Sequence, residues 1–373
     1  MEQTNPVYIL VINPGSTSTK ISLFNRLNEV SGGCARHETH ELTPFSTIAD
    51  QRDFRFQQVK DFLDQELPQG FGLSACIGRG GLLAPMSSGV YTVNQGMLDD
   101  LKVAAYGEHA SNLGAAIAYD IGQTYNCPSY IADPVVVDEM LPLCRYSGMP
   151  EIPRKSIFHA LNQKAVGRRA AAELGKPYNQ CRFIVAHMGG GISVGAHLDG
   201  KVVDVNNALD GDGPFSPERS GGLPAGQLIE EFCRVMGTDS PASPEGKAKL
   251  AAFKRRIVGK GGVSAYAGTN NMLELGKKAL AGDPATQELL QALIHQISKE
   301  IASHGATLEG QVDGIILTGG LAYEQIIVNG LSQRLDWIGR MFIYPGEGEM
   351  EALAENAYGA LQGTLEVRTY ERK

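Results

Sequence analysis

The chain lacks several features that would place it in a specialised class of proteins. Its six cysteines form no CxxC pair, which argues against a zinc site or a disulfide framework and favours reduced thiols in the cytoplasm. No apolar run approaches the ~18 residues that a membrane span requires. The first five residues carry no basic segment of the kind found in secretion signals. We therefore expect a cytoplasmic protein with no membrane partner.

An excess of positive charge is also missing. The sequence has 33 Lys and Arg against 41 Asp and Glu, a net charge of −8. General nucleic-acid binding requires a basic surface, so no nucleic-acid partner is expected, and any phosphate site must be locally basic. The length of 373 residues is large for a single hydrophobic core and predicts two domains.

The stretch 7–24 reads as a strand, a tight turn and a second strand. The turn 13–15 contains Pro and Gly, four hydroxyl residues follow at 16–19, and Lys20 adds a positive charge. A P-loop would need Gly-Lys-Ser/Thr before a helix, and a Rossmann turn would need three glycines before a helix; neither is present. Two alternatives remain, which are a hairpin that binds phosphate at its turn and an ordinary hairpin with a Ser/Thr-rich turn.

A second strand–turn–strand pattern occupies residues 181–204. An apolar run leads into His187 and the glycines 189–191, an alternating strand follows, and Asp199-Gly200 is a strong hairpin signal. No helix follows the glycines, so this is not a Rossmann turn either. The repeated pattern suggests two similar half-molecules that close on one ligand.

Three single residues stand where predicted elements begin or end. Arg79 follows a short strand and is flanked by glycines, which suits either an anion contact or a surface turn. Asp133 follows the predicted strand 129–132, at the strand end where α/β proteins place ligands; a helix cap or Asx-turn is the alternative. His159 lies in the first turn of a predicted helix, 156–174, where a lone histidine is more often structural than catalytic.

The remaining candidates lie in glycine-rich or acidic segments. The loop 206–224 carries Arg219, and its length without periodicity is typical of a functional loop. The strand-to-glycine junction 314–322 would give a nucleobase or ribose a flat surface. Acidic residues at 347–351 precede the last predicted helix, 352–366, where a carboxylate could hold Mg²⁺ or cap the helix.

Four of these segments, 13–20, 187–191, 219–221 and 318–321, occur in the order found in acetate and butyrate kinases, and the chain resembles that family from about Tyr8 to its last helix. The resemblance implies an actin-like ATPase (ribonuclease H-like) α/β fold with the active site in the cleft between two domains. The expected domains are 1–150, completed by a C-terminal helix 352–373, and a nucleotide-binding domain, 151–351.

The family's activity would be reversible Mg²⁺-dependent phosphoryl transfer from ATP to a short-chain carboxylate, giving an acyl phosphate and ADP. A carboxylate is already an ionised nucleophile, so direct in-line attack needs no general base, and cations and hydrogen-bond donors should dominate the site. The expected cofactors and ligands are ATP or ADP, Mg²⁺ and the acid. The family also suggests a homodimer or larger homo-oligomer.

The resemblance assigns a role to each matching position. Arg79 and Arg219 would hold the carboxylate and the phosphoryl group, His159 would donate a hydrogen bond to that group, and Asp133 and Glu349 would lie near Mg²⁺, with Glu351 as a competing match. The residues that would bind phosphate or nucleotide are Asn13, Gly15, Ser16, Ser18, Lys20, His187, Gly189, Gly190, Gly191, Asn271, Gly319, Gly320 and Leu321.

Two departures from acetate kinases bear on the substrate. Those enzymes usually have Asn where this chain has Gly190, and they have a longer segment after the first arginine, with a valine in the acetyl pocket. Here Arg79 is followed by Gly80-Gly81, which we expect to leave room for a longer acyl chain. Butanoate or isobutanoate is therefore expected over acetate. The alternatives are a kinase for another short- or branched-chain acid, such as isobutanoate, propionate or acetate, and, from a rival class, a non-kinase ATPase of the actin or chaperone type.

Overall fold

The computed structural model describes residues 5–372 and divides into two compact units. The first comprises Met1–Asp138, Ala160–Asn162 and Gly348–Lys373, and the second comprises Glu139–His159 and Gln163–Glu347. Within residues 5–372, no helix is long and apolar enough to cross a membrane.

The strands occupy both units. They are β1 (Tyr8–Pro14), β2 (Ser18–Asn25), β3 (Asn28–Arg36), β4 (Ala75–Arg79), β5 (Val90–Thr92), β6 (Ser129–Ala132), β7 (Arg182–Met188), β8 (Ile192–Leu198), β9 (Lys201–Val205), β10 (Gly314–Gly319), β11 (Met341–Pro345) and β12 (Val367–Thr369).

The helices lie between the strands, and five of them follow one another between β9 and β10. They are α1 (Thr39–Leu42), α2 (Arg52–Glu66), α3 (Gln95–Lys102), α4 (Asn112–Tyr125), α5 (Ala160–Glu173), α6 (Ala225–Met236), α7 (Pro244–Val258), α8 (Gly262–Ala267), α9 (Met272–Leu280), α10 (Pro284–Thr307), α11 (Gln325–Leu335) and α12 (Glu349–Leu361), with short 3₁₀ helices at Ala49–Gln51, Pro142–Arg145, Tyr178–Gln180 and Gly320–Tyr323.

The two sheets share one five-strand topology. The first has the order β12-β5-β6-β4-β1-β2-β3 and the second the order β11-β10-β7-β8-β9. In each, three antiparallel strands are followed by two strands parallel to the first one, so β3-β2-β1-β4-β6 matches β9-β8-β7-β10-β11. The similarity between halves that the sequence pattern suggested is therefore confirmed at the level of topology.

Each unit has its own apolar core. In the first, side chains of β1 and β2 such as Leu10 and Leu23 pack with Ile117 and Ile121 of α4. In the second, β7, β8 and β10 pack against the apolar face of α10, which includes Leu293, Ile297 and Ile301. Because both faces of the parallel strands are covered, their sequences read as continuous apolar runs.

Several element boundaries differ from the sequence-based expectation. The last helix begins at Glu349 and ends at Leu361, and it is followed by β12, so the predicted helix 352–373 is wrong in extent. His159 does not lie in the first turn of its helix, because it is the residue that precedes α5. The predicted Asp199-Gly200 turn is confirmed, since both residues have the positive φ, 52° and 77°, of a two-residue hairpin.

Candidate active site

In the first unit, one arginine, one asparagine and one glutamate form a connected cluster. Nη2 of Arg79 lies 3.0 Å from Oε1 of Glu349, and Nη1 donates to Oε2 at 3.2 Å. Nδ2 of Asn13 donates to the same Oε2 at 2.7 Å, and its Oδ1 accepts from Arg79 at 3.4 Å. This two-pronged contact shows that the guanidinium is oriented to hold a carboxylate.

Strand register explains why these residues meet. β1, β4 and β6 are parallel neighbours, with Ile12 opposite Gly78 and Arg79 opposite Ala132. Asn13, Arg79 and Asp133 therefore leave the sheet at the same carboxyl-terminal edge. We call Asn13, Arg79, Asp133 and Glu349 the Arg79 cluster.

Asp133 closes a loop at this edge. Its Oδ1 accepts from the Gly89 N–H at 2.8 Å, and its own N–H donates to the Gly89 carbonyl at 3.1 Å. The residue is 3 % exposed and has a φ of +39°, a left-handed conformation that Asp tolerates better than most residues. A buried carboxylate held in an uncommon conformation at a strand end is a feature that concentrates at functional sites.

The structure separates the two candidate glutamates of the acidic segment. Gly348 has a φ of +56° immediately before α12, and this bend directs the chain so that Glu349, 9 % exposed, contacts Arg79 and Asn13. Glu351 is exposed to solvent on the same helix. The geometry therefore places Glu349, and not Glu351, in the Arg79 cluster.

The phosphate hairpin, defined as residues 13–20, connects β1 and β2. Its turn is closed by a hydrogen bond from the Gly15 N–H to the Ser18 carbonyl at 2.7 Å. Ser16 and Lys20 are exposed, Ser18 is half-buried, and Lys20 lies opposite Asn13 on β2. Ser16, Ser18 and Lys20, three of the residues predicted to bind phosphate, thus lie at the accessible end of the hairpin.

Sequence reasoning missed the residue that supports this hairpin, which is Arg55 of α2. Arg55 is fully buried, and its guanidinium donates to the carbonyls of Gly15 at 2.8 Å, Ser18 at 3.3 Å and Ser16 at 3.4 Å. Each of these acceptors is electrically neutral. Burial lowers the pKa of Arg55 to about 10, so it stays charged at neutral pH.

Neutral side chains complete the surroundings of Arg55. Oε1 of Gln51 accepts from both Nε and Nη2, at 3.1 and 2.8 Å, and Oγ1 of Thr19 accepts from Nη1 at 3.1 Å. His37 lies 2.9 Å from that Thr19 hydroxyl, and burial, followed by the charge of Arg55, lowers the pKa of His37 to about 4. The positive charge beneath the hairpin is therefore solvated by dipoles alone. No sequence motif marks it.

In the second unit, the glycine-rich hairpin (His187–Gly191) connects β7 and β8. The Gly189 N–H donates to the Gly191 carbonyl at 2.9 Å, and the Gly190 carbonyl accepts from the Ser216 hydroxyl at 2.5 Å. A Cβ on Gly190 would meet the Glu218 carboxylate at 3.1 Å. The loop that carries Ser216 and Glu218 thus packs against the turn at Gly190 and is hydrogen-bonded to it.

Arg219 belongs to the same loop and lies against the same turn. A Cβ on Gly191 would overlap its guanidinium, so only glycine permits this approach. Nη1 donates to the Ala208 carbonyl, while Nε is buried and has no partner in the part of the chain that the structure describes. Burial lowers the pKa of Arg219. A half-buried cation whose Nε–H has no partner among residues 5–372, placed beside a glycine turn, fits an anionic ligand.

His159 and His187, both predicted site residues, are stacked. Their ring centroids are 3.8 Å apart and the rings are inclined by 12°. Nδ1 of His159 lies 2.9 Å from the hydroxyl of Ser193, which sits opposite His187 in the β7–β8 pair. The stacked rings and the contact with Ser193 place His159 beside the glycine-rich hairpin.

The third glycine segment reaches the same edge of the second sheet. Gly319 has a φ of +85°, and a Cβ there would overlap the Met188 backbone within 2.5 Å. Gly319 and Gly346 exchange two backbone hydrogen bonds of 3.0 Å. Gly320 is exposed, and a Cβ on it would meet open space, as a surface for a flat ligand would require.

Two predicted nucleotide contacts have structural tasks. Oδ1 of Asn271 caps α9 by accepting from the Glu274 N–H at 3.2 Å. Leu321 is 5 % exposed and its side chain belongs to the apolar core of the second unit, so this side chain does not line an open surface for a nucleotide.

Gly80 and Gly81 do not make room for a longer acyl chain, so that prediction from the sequence is wrong. A Cβ on Gly81 would come within 2.6 Å of the Asn112 Cα, and one on Gly80 would come within 2.6 Å of the Pro134 Cβ. These glycines permit close packing and do not open onto empty space.

Magnesium is the metal that phosphoryl transfer calls for, and the Arg79 cluster fits it chemically. Mg²⁺ takes one or two carboxylates together with substrate phosphates and water. Asp133 and Glu349 supply two buried carboxylates at one sheet edge. Among residues 5–372, no group of three or more His, Cys, Asp or Glu side chains could hold a metal ion without further ligands.

Comparison with solved structures defines the class of protein. A propionate kinase from Francisella tularensis (TM-score 0.72, 18 % identity, covering 94 % of this chain and 98 % of that one) and an acetate kinase from Porphyromonas gingivalis (TM-score 0.72, 18 % identity, 95 % and 100 %) have a similar structure. The fold is therefore that of the two-domain α/β proteins with an actin-like ATPase fold, as predicted.

Sequence comparison then gives the family. Residues 152–341 match the Acetokinase family. The protein of Clostridium acetobutylicum named "Butyrate kinase 2" is 47 % identical over 362 residues, which cover 97 % of this chain and 99 % of that protein. The chain belongs to the Acetokinase family.

Proposed function

We propose that the chain catalyses reversible, Mg²⁺-dependent phosphoryl transfer from ATP to butanoate, giving butanoyl phosphate and ADP. The observation that carries this proposal is the 47 % identity with Butyrate kinase 2 along nearly the whole of both chains. The two solved neighbours named as acetate and propionate kinases, at 18 % identity, support the fold alone.

In the proposed reaction, a carboxylate oxygen of butanoate attacks the terminal phosphorus of ATP as the bond to the ADP oxygen breaks. The nucleophile is already ionised, so the protein has to orient the reactants and neutralise charge on the equatorial oxygens. Arg219 suits that task because its half-buried guanidinium lies next to Gly191 and its Nε–H has no partner among the described residues. His159 would donate a further hydrogen bond to the phosphoryl group.

The Arg79 cluster would provide the remaining charge. Arg79 would bind the acid or acyl phosphate through the guanidinium N–H groups that Glu349 and Asn13 do not use. Asp133 and Glu349 would hold Mg²⁺, with Asn13 fixing the Glu349 carboxylate at 2.7 Å. When bound, Mg²⁺ would neutralise negative charge on the phosphates.

The glycine and hydroxyl residues would bind the phosphates and the nucleoside. In this proposal the phosphate hairpin and the glycine-rich hairpin donate to phosphate oxygens, while the segment around Gly319 and Gly320 borders the ribose and base. The full set is Gly15, Ser16, Ser18, Lys20, His187, Gly189, Gly190, Gly191, Asn271, Gly319, Gly320 and Leu321.

Trapping the acyl phosphate with hydroxylamine tests the proposal directly. The purified protein is incubated with ATP, Mg²⁺ and acetate, propionate, butanoate, isobutanoate or hexanoate, and hydroxamate is measured. We expect butanoate or isobutanoate to have the highest kcat/KM, by the modest ~10–200-fold that one methylene can provide. Hydroxamate formed best from acetate or propionate would shift the assignment to another short-chain acid. ATP hydrolysis with no hydroxamate from any acid would favour the non-kinase ATPase class.

Two further expectations accompany the proposed activity. All six cysteines are free thiols, which supports a location in the reducing cytoplasm. We also propose a homodimer or larger homo-oligomer.

A further inference from the structure

A chain of buried side chains leads inward from His159 in the second unit. Nδ1 of His159 lies 2.9 Å from Oγ of Ser193, and Nε2 of Gln163 lies 2.9 Å from the same Oγ. Oε1 of Gln163 is 3.0 Å from Nε2 of His197, whose Nδ1 is 2.7 Å from the hydroxyl of Tyr178. Ser193, Gln163 and His197 are 0 % exposed, so water does not interrupt the chain.

The orientation of the Gln163 amide is fixed by a backbone group. One end of the amide lies 3.0 Å from the Ser193 carbonyl oxygen, which can only accept a hydrogen bond. That end must be the NH₂ group, and it therefore also donates to Oγ of Ser193. The oxygen end then faces His197, whose Nε2 must donate. Gly195 leaves the space for this oxygen, since a Cβ there would lie 2.7 Å from it.

The inner end of the chain is neutral. Burial, with Lys164 and His304 nearby, lowers the pKa of His197 well below its usual value. A neutral histidine that donates from Nε2 must accept at Nδ1, so the Tyr178 hydroxyl donates to it. Every donor in the chain consequently points in one direction, from Tyr178 towards Ser193.

The direction of the last bond follows from counting the donors and acceptors at Ser193. Its hydroxyl oxygen receives a hydrogen bond from Gln163 and, at 3.5 Å, faces the backbone N–H of His159. Neither the Gln163 amide nitrogen nor the His159 backbone N–H can accept the proton of the Ser193 hydroxyl. Among the described residues, Nδ1 of His159 is the only acceptor within reach of this fully buried hydroxyl.

We propose that Ser193 and Gln163 are positioning residues that hold His159 in the tautomer with its proton on Nε2, so that Nε2–H is the donor presented to the phosphoryl group. The inference rests on the proposed function for the identity of the acceptor, but the tautomer is a property of the protein without ligand. These hydrogen bonds exclude the opposite tautomer of His159, because a proton on Nδ1 would leave the Ser193 hydroxyl without an acceptor.

The tautomer can be read from ¹H–¹⁵N long-range correlations in protein labelled with ¹⁵N-histidine, with the His159 signals assigned by their loss in His159→Gln. We expect a protonated Nε2 and an unprotonated Nδ1 near neutral pH. A protonated Nδ1 would overturn the proposal, whether or not the protein makes acyl phosphate. Absence of acyl phosphate with the expected spectrum would overturn only the proposed function.

Activity measurements then test the supporting residues. Ser193→Ala should lower kcat about tenfold, the size expected for one lost hydrogen bond, with the KM for ATP changed less than about twofold, and Ser193→Thr should restore kcat. Ser298→Ala is the matched control, because Ser298 is also buried and donates to the Ile294 carbonyl at 2.7 Å. An unchanged kcat in Ser193→Ala, or an equal loss in Ser298→Ala, would contradict the proposal.

Two other substitutions keep the test decisive if Ser193→Ala does not fold. In Gln163→Glu a carboxylate, which only accepts, replaces the amide donor, so the Ser193 hydroxyl should turn towards it and the Nδ1-protonated form of His159 should appear. His159→Gln should retain more kcat than His159→Asn, since the glutamine amide nitrogen lies near the position of Nε2 and the asparagine nitrogen near that of Nδ1. The reverse order, or an unchanged tautomer in Gln163→Glu, would refute the assignment.

Discussion

Replacing Arg55 tests whether a charge buried beneath the phosphate hairpin contributes to anion binding. The guanidinium lies 2.8 Å from the Gly15 carbonyl oxygen and touches no carboxylate among its hydrogen-bond partners. An anion bound to an N–H on the far side of that peptide unit would lie about 9 Å away, allowing one Cα–Cα span of ~3.8 Å and one hydrogen bond of ~2.9 Å. The charge is thus close enough to act without contact.

The size of the effect follows from Coulomb's law. A unit charge about 9 Å away contributes about 1.8 kcal/mol at an effective dielectric constant of ~20, which corresponds to about 20-fold in affinity. Full screening by water would reduce this to about 0.5 kcal/mol, or about twofold. Because Arg55 is fully buried, we expect Arg55→Met to weaken ADP binding by a factor nearer to about 20 than to about two.

Two further variants separate charge from hydrogen bonding. Arg55→Lys keeps the charge but cannot satisfy all five acceptors. ADP affinity should therefore change only slightly. The free energy of unfolding should fall by ~1–3 kcal/mol for each buried acceptor left unsatisfied, which a lower melting temperature would show. Arg52→Met is the matched control on the same helix, since Arg52 is already paired with Asp120 at 2.6 and 2.7 Å, and its removal should leave affinity unchanged.

Isothermal titration calorimetry with ADP at two salt concentrations measures these effects. Arg55→Met binding ADP as tightly as the wild type while remaining folded would refute the long-range charge effect. Equal losses of ADP affinity in Arg55→Met and Arg52→Met would show that affinity depends on the net charge of the protein and not on the position of Arg55.

Three other predictions address single residues. Glu349→Gln should lower kcat at least tenfold and raise the Mg²⁺ concentration needed for half-maximal activity, whereas Glu351→Gln, changed at an exposed position of the same helix, should behave as the wild type. Arg219→Ala should lower kcat on the order of 10³-fold, by analogy with arginines that stabilise phosphoryl transfer, and Arg234→Ala should not; a loss below tenfold would contradict the role of Arg219. Burial lowers the pKa of His37 to about 4 from an ordinary 6.5, so the unfolded state binds a proton that the folded state does not, and stability falls as the pH drops through that interval. Thermal melts should show this slope weakened in His37→Gln, and an identical slope in both proteins would contradict it.

The sequence predicted the parts of the candidate site whose positions are determined locally. Turn residues and strand alternation located both hairpins, and Asp133 was placed at the sheet edge because it follows a short strand directly. Glu349 and Glu351 could not be separated from sequence, because the choice depends on the left-handed conformation of Gly348. A carboxylate at either position would give the same pattern.

The residues that sequence reasoning missed act across long separations in the chain. Arg55 contacts a turn some 40 residues earlier, and Gln163 meets Ser193 30 residues later. Both look like ordinary polar residues of amphipathic helices, since periodicity records that a position is polar and not what it contacts. The argument from Gly80-Gly81 failed for a related reason: a glycine may leave space or be required by a close neighbour, and only the positions of Asn112 and Pro134 decide between these.

The hydrogen bonds of Arg55, which is fully buried, and of Arg219, which is half-buried, distinguish support of the turn from ligand binding. Both lie beside a hairpin turn of the same topology, and burial lowers the pKa of each. Arg55 donates to five acceptors of the protein, so a ligand could contact it only by displacing one of them. Arg219 donates to the Ala208 carbonyl and keeps a buried Nε without a partner among the described residues. Because an unsatisfied buried donor costs about 1–3 kcal/mol, an anion that accepts from Arg219 would recover that free energy on binding. This difference is the reason for expecting Arg219 to contact the substrate and Arg55 to act from behind the turn.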